Sequence, residues 1–232
     1  MTGRNRRQII QTDGDFPSAG HKLSIQAITG VEADLVEVLA RIVEQRDPYT
    51  ATHMSRVAWL SVLIGTRLGF DERRLAGLRL GAELHDLGKF AVPTEILTKP
   101  GRLSSQELEL VKQHPKKGYE VVAPFAWSWR VPEMLLQHHE RIDGSGYPHG
   151  IKGSEILDEA KIIAVADVAD AMISHRPYRS AFPRQLAIDE LKGWRGARYE
   201  PVVVDACVEL LNDGSFALPS DAPDFAQMPD RS

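Results

Sequence analysis

The chain has 232 residues, with 28 Lys and Arg against 32 Asp and Glu, which gives a formal net charge of −4. Its length suffices for one domain with a sizeable core, and the charge excludes the bulk positive field expected of a protein that binds a nucleic-acid polymer or an anionic membrane surface. No apolar run approaches the roughly 20 residues of a membrane span. The single cysteine, Cys207, excludes an internal disulfide and suits a cytoplasmic protein.

The two ends of the chain differ in composition from its middle. Residues 1–28 are largely polar and contain Gly and Pro, so the sequence predicts a flexible leader that is not a signal peptide. Residues 213–232 are rich in Pro, Asp and Ser and predict a disordered tail. The folded domain is therefore expected within residues 29–212.

Apolar residues in the middle recur at three- and four-residue steps, the spacing of amphipathic helices. The first helix is predicted from about Thr29, with six apolar residues on one face before Pro48 interrupts it. These six are Val31, Leu35, Val38, Leu39, Ile42 and Val43. A second helix is predicted from about Thr50 to Leu68. A third follows Asp71, a typical N-cap residue, and runs up to a His-Asp pair.

The second half of the chain also predicts helices. Ser104 to Glu107 resemble a capping box that opens a helix ending at His114. Further helices are expected at Pro132–His139, Glu155–Ser174, Pro183–Lys192 and Pro201–Asn212. Because no alternating apolar run is flanked by turn signals, no strand is predicted. The expected fold class is all-α.

Five histidines and two aspartates of metal-ligand type lie at the ends or on the faces of these helices. They are His53, His85, Asp86, His114, His138, His139 and Asp167. A single His on an apolar face is usually a satisfied core residue, and a His-Asp dipeptide often occurs by chance. Five imidazoles with two carboxylates exceed ordinary structural needs and match the donors that two divalent cations require.

Other charged residues have both a functional and an ordinary interpretation. Lys89 follows Asp86 by one helical turn and could contact a substrate phosphate, or it could be a solvated lysine at a helix end. Arg176 and Arg179 could present guanidinium groups to phosphate, although Arg179 equally suits a surface ion pair. Asp170 lies one turn after Asp167 and could orient a metal ligand.

The motifs, taken in order, resemble those of the HD-GYP family over roughly residues 29–212. The matching segments are Asp47–Val57, Leu84–Lys89, Gln113–Pro115 with Gly118, His138–Pro148, Ala164–Ala171 and Arg176–Arg179. The chain departs from the common family pattern at Leu157, at His175 and in Tyr199-Glu200-Pro201. None of these positions is a predicted metal ligand.

The resemblance implies an HD-superfamily helical bundle with a metal site in its core, which holds two divalent ions, usually iron or manganese. One ion would be held by His53, His85, Asp86 and Asp167, and the second by Asp86, His114, His138 and His139. Some family members bind a third metal through a glutamate four residues before the first His. Tyr49 occupies that position here, so the prediction is a binuclear site.

The resemblance also implies hydrolysis of cyclic di-GMP to pGpG and, on further turnover, to GMP, by a hydroxide that bridges the two metals. The expected catalytic residues are Asp86 and Lys89. The expected substrate-binding residues are Lys89, Gly146, Tyr147, Pro148, Arg176 and Arg179. A diguanylate cyclase partner and a homodimer are further expectations. The alternatives are a phosphohydrolase of another nucleotide, including cyclic GMP-AMP, and a catalytically weak module that binds cyclic dinucleotides.

Overall fold

A computed structural model describes residues 30–175, 180–214 and 216. These residues form ten α-helices and two short 3-10 helices and contain no β-strand, which confirms the predicted all-α fold. The α-helices are α1 (Gly30–Arg46), α2 (Pro48–Arg67), α3 (Glu72–Leu84), α4 (Thr94–Leu97), α5 (Ser105–Val111), α6 (His114–Val122), α7 (Val131–Gln137), α8 (Asp158–Ile173), α9 (Arg184–Gly193) and α10 (Pro201–Asn212). The 3-10 helices are Leu87–Ala91 and Gly153–Glu155.

Capping residues determine where the early helices begin. Asp47 Oδ1 accepts hydrogen bonds from the backbone N–H groups of Tyr49 and Thr50, at 3.1 and 3.2 Å. Helix α2 therefore begins at Pro48, two residues earlier than predicted, because proline suits a first helical position whose N–H would have no partner. The predicted N-cap at Asp71 is confirmed, since its carboxylate accepts from the Arg74 N–H at 2.7 Å.

The predicted helix ending at His114 is wrong at its C-terminal end. The capping box of Ser104 and Glu107 is present, but α5 ends at Val111 and a separate helix, α6, begins at His114. Pro115 explains the break, because its ring and missing N–H interrupt a continuing helix but suit the first turn of a new one. His114 consequently opens a helix.

Three smaller differences concern the turns around the predicted site. Helix α7 ends at Gln137, so His138 is its C-cap residue and His139 lies beyond it. Helix α8 begins at Asp158 instead of Glu155, because residues 153–155 form a separate 3-10 helix. The 3-10 helix Leu87–Ala91 and the single-turn helix α4 were not predicted; both are too short for a periodic pattern.

Helix α1 carries the predicted apolar stripe but packs by only one edge of it. Of its six residues only Val43 is buried, whereas Val31, Val38 and Ile42 are 66%, 54% and 56% exposed. Val36, which was not part of the predicted stripe, is buried as well. The middle of the stripe therefore lies at the surface of the described structure.

Two groups of buried apolar residues form the core. One is built mainly from α2, α3, α8, α9 and α10, and includes Leu60 and Ile162. The other joins α1, α2, α3 and α7 and includes Leu84 and Leu135. Because α2, α3 and α7 contribute to both groups, these helices are fixed on two sides. The residues that precede or follow these helices are thereby held in position.

The predicted leader, residues 1–28, lies outside the described residues, as does the predicted tail apart from residues 213, 214 and 216. Among the described helices, none combines the length and the apolar character needed to cross a membrane.

Candidate metal centre

The predicted metal ligands converge from five helices. His53 lies on α2, His85 and Asp86 directly follow α3, His114 opens α6, His138 and His139 follow α7, and Asp167 lies on α8. Their donor atoms form two groups whose members lie within 4.8 Å of one another. One group is Asp86, His114, His138 and His139, and the other is His53, His85 and Asp86. Asp167 adjoins the second group, with its Oδ1 3.0 Å from His53 Nε2.

Asp86 is the member that the two groups share. Its Oδ1 lies 3.3 Å from His114 Nε2, and its Oδ2 lies 3.5 Å from His85 Nε2. His53 Nε2 also faces Oδ2, at 3.7 Å. The two oxygens of one carboxylate thus face different sets of imidazoles, as a bridging ligand requires.

The backbone fixes the orientation of three of the imidazole rings. In His85, His114 and His138, Nδ1 lies 2.7–2.8 Å from the carbonyl oxygen of the residue three positions earlier. A carbonyl oxygen can only accept, so each Nδ1 must carry the proton and each neutral ring presents an unprotonated Nε2. These lone pairs face the interior of the cluster.

The buried nitrogen atoms of this cluster fit a cation. His85 Nε2 is buried and has no hydrogen-bond partner among the described residues. His114 Nε2 and His138 Nε2 lie 3.2 Å apart, and both are acceptors when their Nδ1 atoms hold the protons. Buried lone pairs without donors are costly, and a divalent metal ion would satisfy them. The described residues therefore form a His/Asp cluster that could bind divalent metals.

Burial keeps most of the imidazoles in the form that binds metals. It lowers the pKa of His114 to about 4 and that of His138 well below its usual range, so both rings are neutral at pH 7. His53 differs: burial opposes its protonation, but hydrogen bonds to Asp167 and Asp170 raise its pKa to about 9. Although burial acts to raise the pKa of Asp86, Lys89 and the nearby histidines hold it well below its usual value.

Gly88 allows α6 to approach the His-Asp turn. A Cβ atom at this position would overlap the carbonyl oxygen of His114 and the amide nitrogen of Gly118. The close packing of these two backbones brings His114 to Asp86. The signal in the sequence was the glycine after His85-Asp86-Leu87, which sequence reasoning did not use.

Asp170 anchors His53 from behind. Its Oδ2 lies 2.7 Å from His53 Nδ1, and the buried carboxylate also accepts hydrogen bonds from Arg56 Nε at 2.6 Å and Ser174 Oγ at 3.0 Å. The predicted role of Asp170, to orient a metal ligand, stays a prediction. Sequence reasoning missed Arg56 and Ser174, although Arg56 lies one turn after His53 and Ser174 one turn after Asp170.

Lys89 contacts Asp86, which lies three residues earlier in the chain. Its Nζ lies 2.6 Å from Asp86 Oδ2, and its side chain is 22% exposed whereas that of Asp86 is buried. The ammonium group therefore lies between the buried ligand cluster and the solvent. Its predicted contact with a substrate phosphate stays a prediction.

The Gly-Tyr-Pro segment folds back over the group of ligands that contains His139. The Tyr147 ring stacks on His139 with centroids 4.7 Å apart, and the Tyr147 N–H donates to the His139 carbonyl at 3.2 Å. A Cβ at Gly146 would overlap the backbone of Glu140, so this glycine has a packing role beside its predicted substrate role. Pro148 is half-buried. The predicted substrate residues Arg176 and Arg179 lie outside the described residues.

Comparison with known proteins supports this assignment. A sequence model of the HD domain family matches residues 37–203. The chain belongs to the HD domain family. The cyclic di-GMP phosphodiesterase response regulator RpfG of Xanthomonas campestris is 39% identical over 185 residues, which are 79% of this chain and 49% of RpfG. The chain thus spans about half the length of that relative. The family match and this relative confirm the predicted HD-GYP membership.

Two further similarities concern a related substrate and the fold. The 3'3'-cGAMP-specific phosphodiesterase 3 of Vibrio cholerae is 39% identical over 158 residues, covering 67% of this chain and 34% of that protein. Bd1817, an HDG"Y"P protein of Bdellovibrio bacteriovorus, superimposes with a TM-score of 0.61 at 22% identity, over 78% of this chain and 63% of that one. The structural match confirms the predicted HD fold.

Proposed function

We propose that this chain is a metal-dependent phosphodiesterase that hydrolyses cyclic di-GMP to pGpG and, on further turnover, to GMP. The observation that carries this proposal is the position of Asp86, whose two carboxylate oxygens face two separate sets of imidazoles. Two adjacent cations are the usual means of cleaving a phosphodiester without a protein nucleophile. The similarity to RpfG supports cyclic di-GMP as the substrate.

The ligands fall into two sets around Asp86. We assign one ion to His53, His85, Asp86 and Asp167, and the other to Asp86, His114, His138 and His139. Mixed imidazole and carboxylate donors suit iron or manganese, the ions we propose. When bound, the pair of ions would activate a water molecule and neutralise charge on the phosphodiester.

Residues around the ligands orient them and hold the substrate. Asp170 accepts a hydrogen bond from His53 Nδ1 and so directs Nε2 toward the cluster. Lys89, held against Asp86 and partly exposed, is positioned to place its ammonium on a phosphate oxygen. Tyr147 offers an aromatic face beside His139 to one base of the substrate. We propose that Gly146 and Pro148, with Arg176 and Arg179, complete the substrate contacts.

A second candidate substrate is the mixed cyclic GMP-AMP dinucleotide. The Vibrio cholerae phosphodiesterase specific for 3'3'-cGAMP is as similar to this chain, at 39% identity, as RpfG is. The same cluster would cleave both dinucleotides, since they differ in one base and not in the phosphodiester. Substrate preference therefore depends on the base contacts.

We also propose that the protein acts in the cytoplasm as a homodimer and contacts a diguanylate cyclase through Gly146-Tyr147-Pro148. Light scattering of the purified full chain measures the oligomeric state. A monomer at micromolar concentration would remove the homodimer from this proposal.

The test of the activity is product chromatography. Protein purified without oxygen and supplied with Mn or Fe(II) is incubated with cyclic di-GMP or cyclic GMP-AMP, beside the Asp86→Ala variant. Asp189→Ala, which changes an exposed aspartate on α9, is the matched control. We expect pGpG or GMP from the wild type and the control and none from Asp86→Ala. Full turnover by Asp86→Ala, or no product from a wild type that contains two metals, would contradict the proposal.

A further inference from the structure

A cavity of about 370 Å³ includes Asp86 and Lys89 in its lining. The rest of the lining comes from α1, the start of α2, the 3-10 helix Leu87–Ala91, α4 and α6. The cavity therefore borders Asp86, the aspartate that the two groups of metal ligands share. Its volume lies within the range of small-molecule binding sites.

The lining is mainly apolar, which is unexpected beside a cluster of histidine and aspartate side chains. Leu39, Ile42, Leu87 and Phe90 contribute to it, and Phe90 and Ile42 are 41% and 56% exposed. A phosphate or a ribose gains little from such a wall. A nucleobase has two π-faces and stacks on aromatic side chains. This stacking is largely independent of which base is present.

Arg46 holds the cavity wall in place. Its guanidinium donates to the carbonyl oxygens of Phe90 and Val92, the latter at 3.0 Å. These bonds tie the end of α1 to the 3-10 helix that carries Phe90. Arg46 thus links the end of α1, which carries Ile42, to the segment that carries Phe90.

We propose that this cavity is a nucleobase subsite that takes one purine base of the cyclic dinucleotide. The inference rests on the proposed function insofar as the scissile phosphodiester lies at Asp86 and Lys89. One base then packs against Phe90 and Ile42. The second base is left for Tyr147, which lies against the other group of ligands. Phe90 and Ile42 belong to no metal-ligand motif, and they become substrate-binding residues that contact the base.

The test compares two ligands that differ only by the base. Calorimetry measures the binding of GMP and of ribose 5-phosphate to the full chain loaded with Mn. The variants are Phe90→Ala and a matched control, Trp59→Ala, which removes a 46% exposed aromatic ring on α2 that does not line the cavity. Loss of a stacked base costs roughly 1–3 kcal/mol, so we expect Phe90→Ala to weaken GMP binding roughly tenfold. Binding of ribose 5-phosphate should not change in either variant.

A second variant distinguishes loss of the base contact from a folding defect. Ile42→Ser changes a surface position and should weaken GMP binding in the same direction without affecting ribose 5-phosphate. GMP has one base and could also bind beside Tyr147, so the same affinities are measured in a Tyr147→Ala background. Equal GMP affinity in that background, with and without Phe90→Ala or Ile42→Ser, would overturn the subsite. An equal loss of both ligands would also overturn it, because a base contact cannot affect ribose 5-phosphate. Since binding is measured directly, base-dependent loss with no hydrolysis of any dinucleotide would uphold the subsite and reject the proposed function.

Discussion

His114 and His138 direct their Nε2 atoms at each other across 3.2 Å, although neither atom has a proton to share. Both rings donate from Nδ1 to a backbone carbonyl, and burial keeps both rings neutral. Two lone pairs at this distance repel each other in a buried site. The contact is therefore not a hydrogen bond, and it becomes favourable only when a cation lies between the two rings.

Removal of metal should therefore destabilise the fold as well as stop catalysis. A ligand that binds only the folded state adds about 2.7 kcal/mol at a concentration of 100 times its Kd. We expect chelation to lower the melting temperature and Mn or Fe(II) to restore it. The Asp86→Ala variant should respond much less, and Asp189→Ala should respond like the wild type. Superimposable melting curves with and without metal would contradict this view of the cluster.

Lys89→Met tests the lysine separately from the metals. The substitution keeps the aliphatic stem and removes the ammonium, and a charge-assisted hydrogen bond is worth roughly 1.5–3 kcal/mol. We expect kcat/KM for cyclic di-GMP to fall about 10- to 100-fold while elemental analysis still finds two metals per chain. Lys117→Met, at a surface lysine paired with Glu120, is the control. Loss of metal in Lys89→Met would mean that the lysine supports the cluster and not the substrate.

The sequence predicted the residue types of the site more completely than the helix ends and tertiary contacts that position them. The donors could be recognised because imidazole and carboxylate chemistry is independent of fold, and the motif order supplied their grouping. The break at His114 was missed because a capping box marks where a helix starts and does not determine its length. The pairing of Arg56 with Asp170, separated by 114 residues, is a tertiary contact that no local pattern contains.

The exposed stripe of α1 illustrates a second limit. Periodicity located the helix correctly but not its rotation, because both the core edge and the surface centre of the stripe are apolar. Val36 and Val38 differ by two residues, and only Val36 is buried. The orientation is set by the packing of α1 on α2 and α3, which spacing along one helix does not encode.

Gly88→Ala should disrupt the site although it replaces no predicted ligand. The added methyl group would overlap the carbonyl of His114 and the amide of Gly118, so α6 must move away from Asp86. We expect a destabilisation of about 1–3 kcal/mol and a reduced metal content. Gly193→Ala is the matched control, since nothing lies within 4 Å of its added Cβ. Normal metal content in Gly88→Ala, measured by elemental analysis, would show that α6 tolerates the displacement.

Asp170→Ala removes the anchor of His53 and leaves Arg56 without its carboxylate. Breaking one side of a buried ion pair typically costs about 3–5 kcal/mol, and the low exposure of both groups places this pair near that class. We expect a lower melting temperature and weaker metal binding. The double variant Asp170→Ala/Arg56→Met should recover stability but not metal affinity, because His53 remains unanchored. Recovery of both properties would show that Asp170 acts only as the partner of Arg56.

Because of Cys207, the free energy of unfolding should decrease as the pH rises above about 9. Burial raises the pKa of its thiol from about 9 to about 12, so the folded state keeps the proton that the unfolded chain loses above pH 9. The unfolded state then binds fewer protons, and stability falls as pH rises, by about 1.4 kcal/mol for each pH unit between these two values. The Cys207→Ala variant starts less stable because it leaves a cavity, but it lacks this slope. Urea denaturation at pH 8 and pH 10 should therefore show the stability gap between the two proteins shrinking at the higher pH. Parallel curves would mean that the thiol ionises in the folded protein as readily as in the unfolded chain.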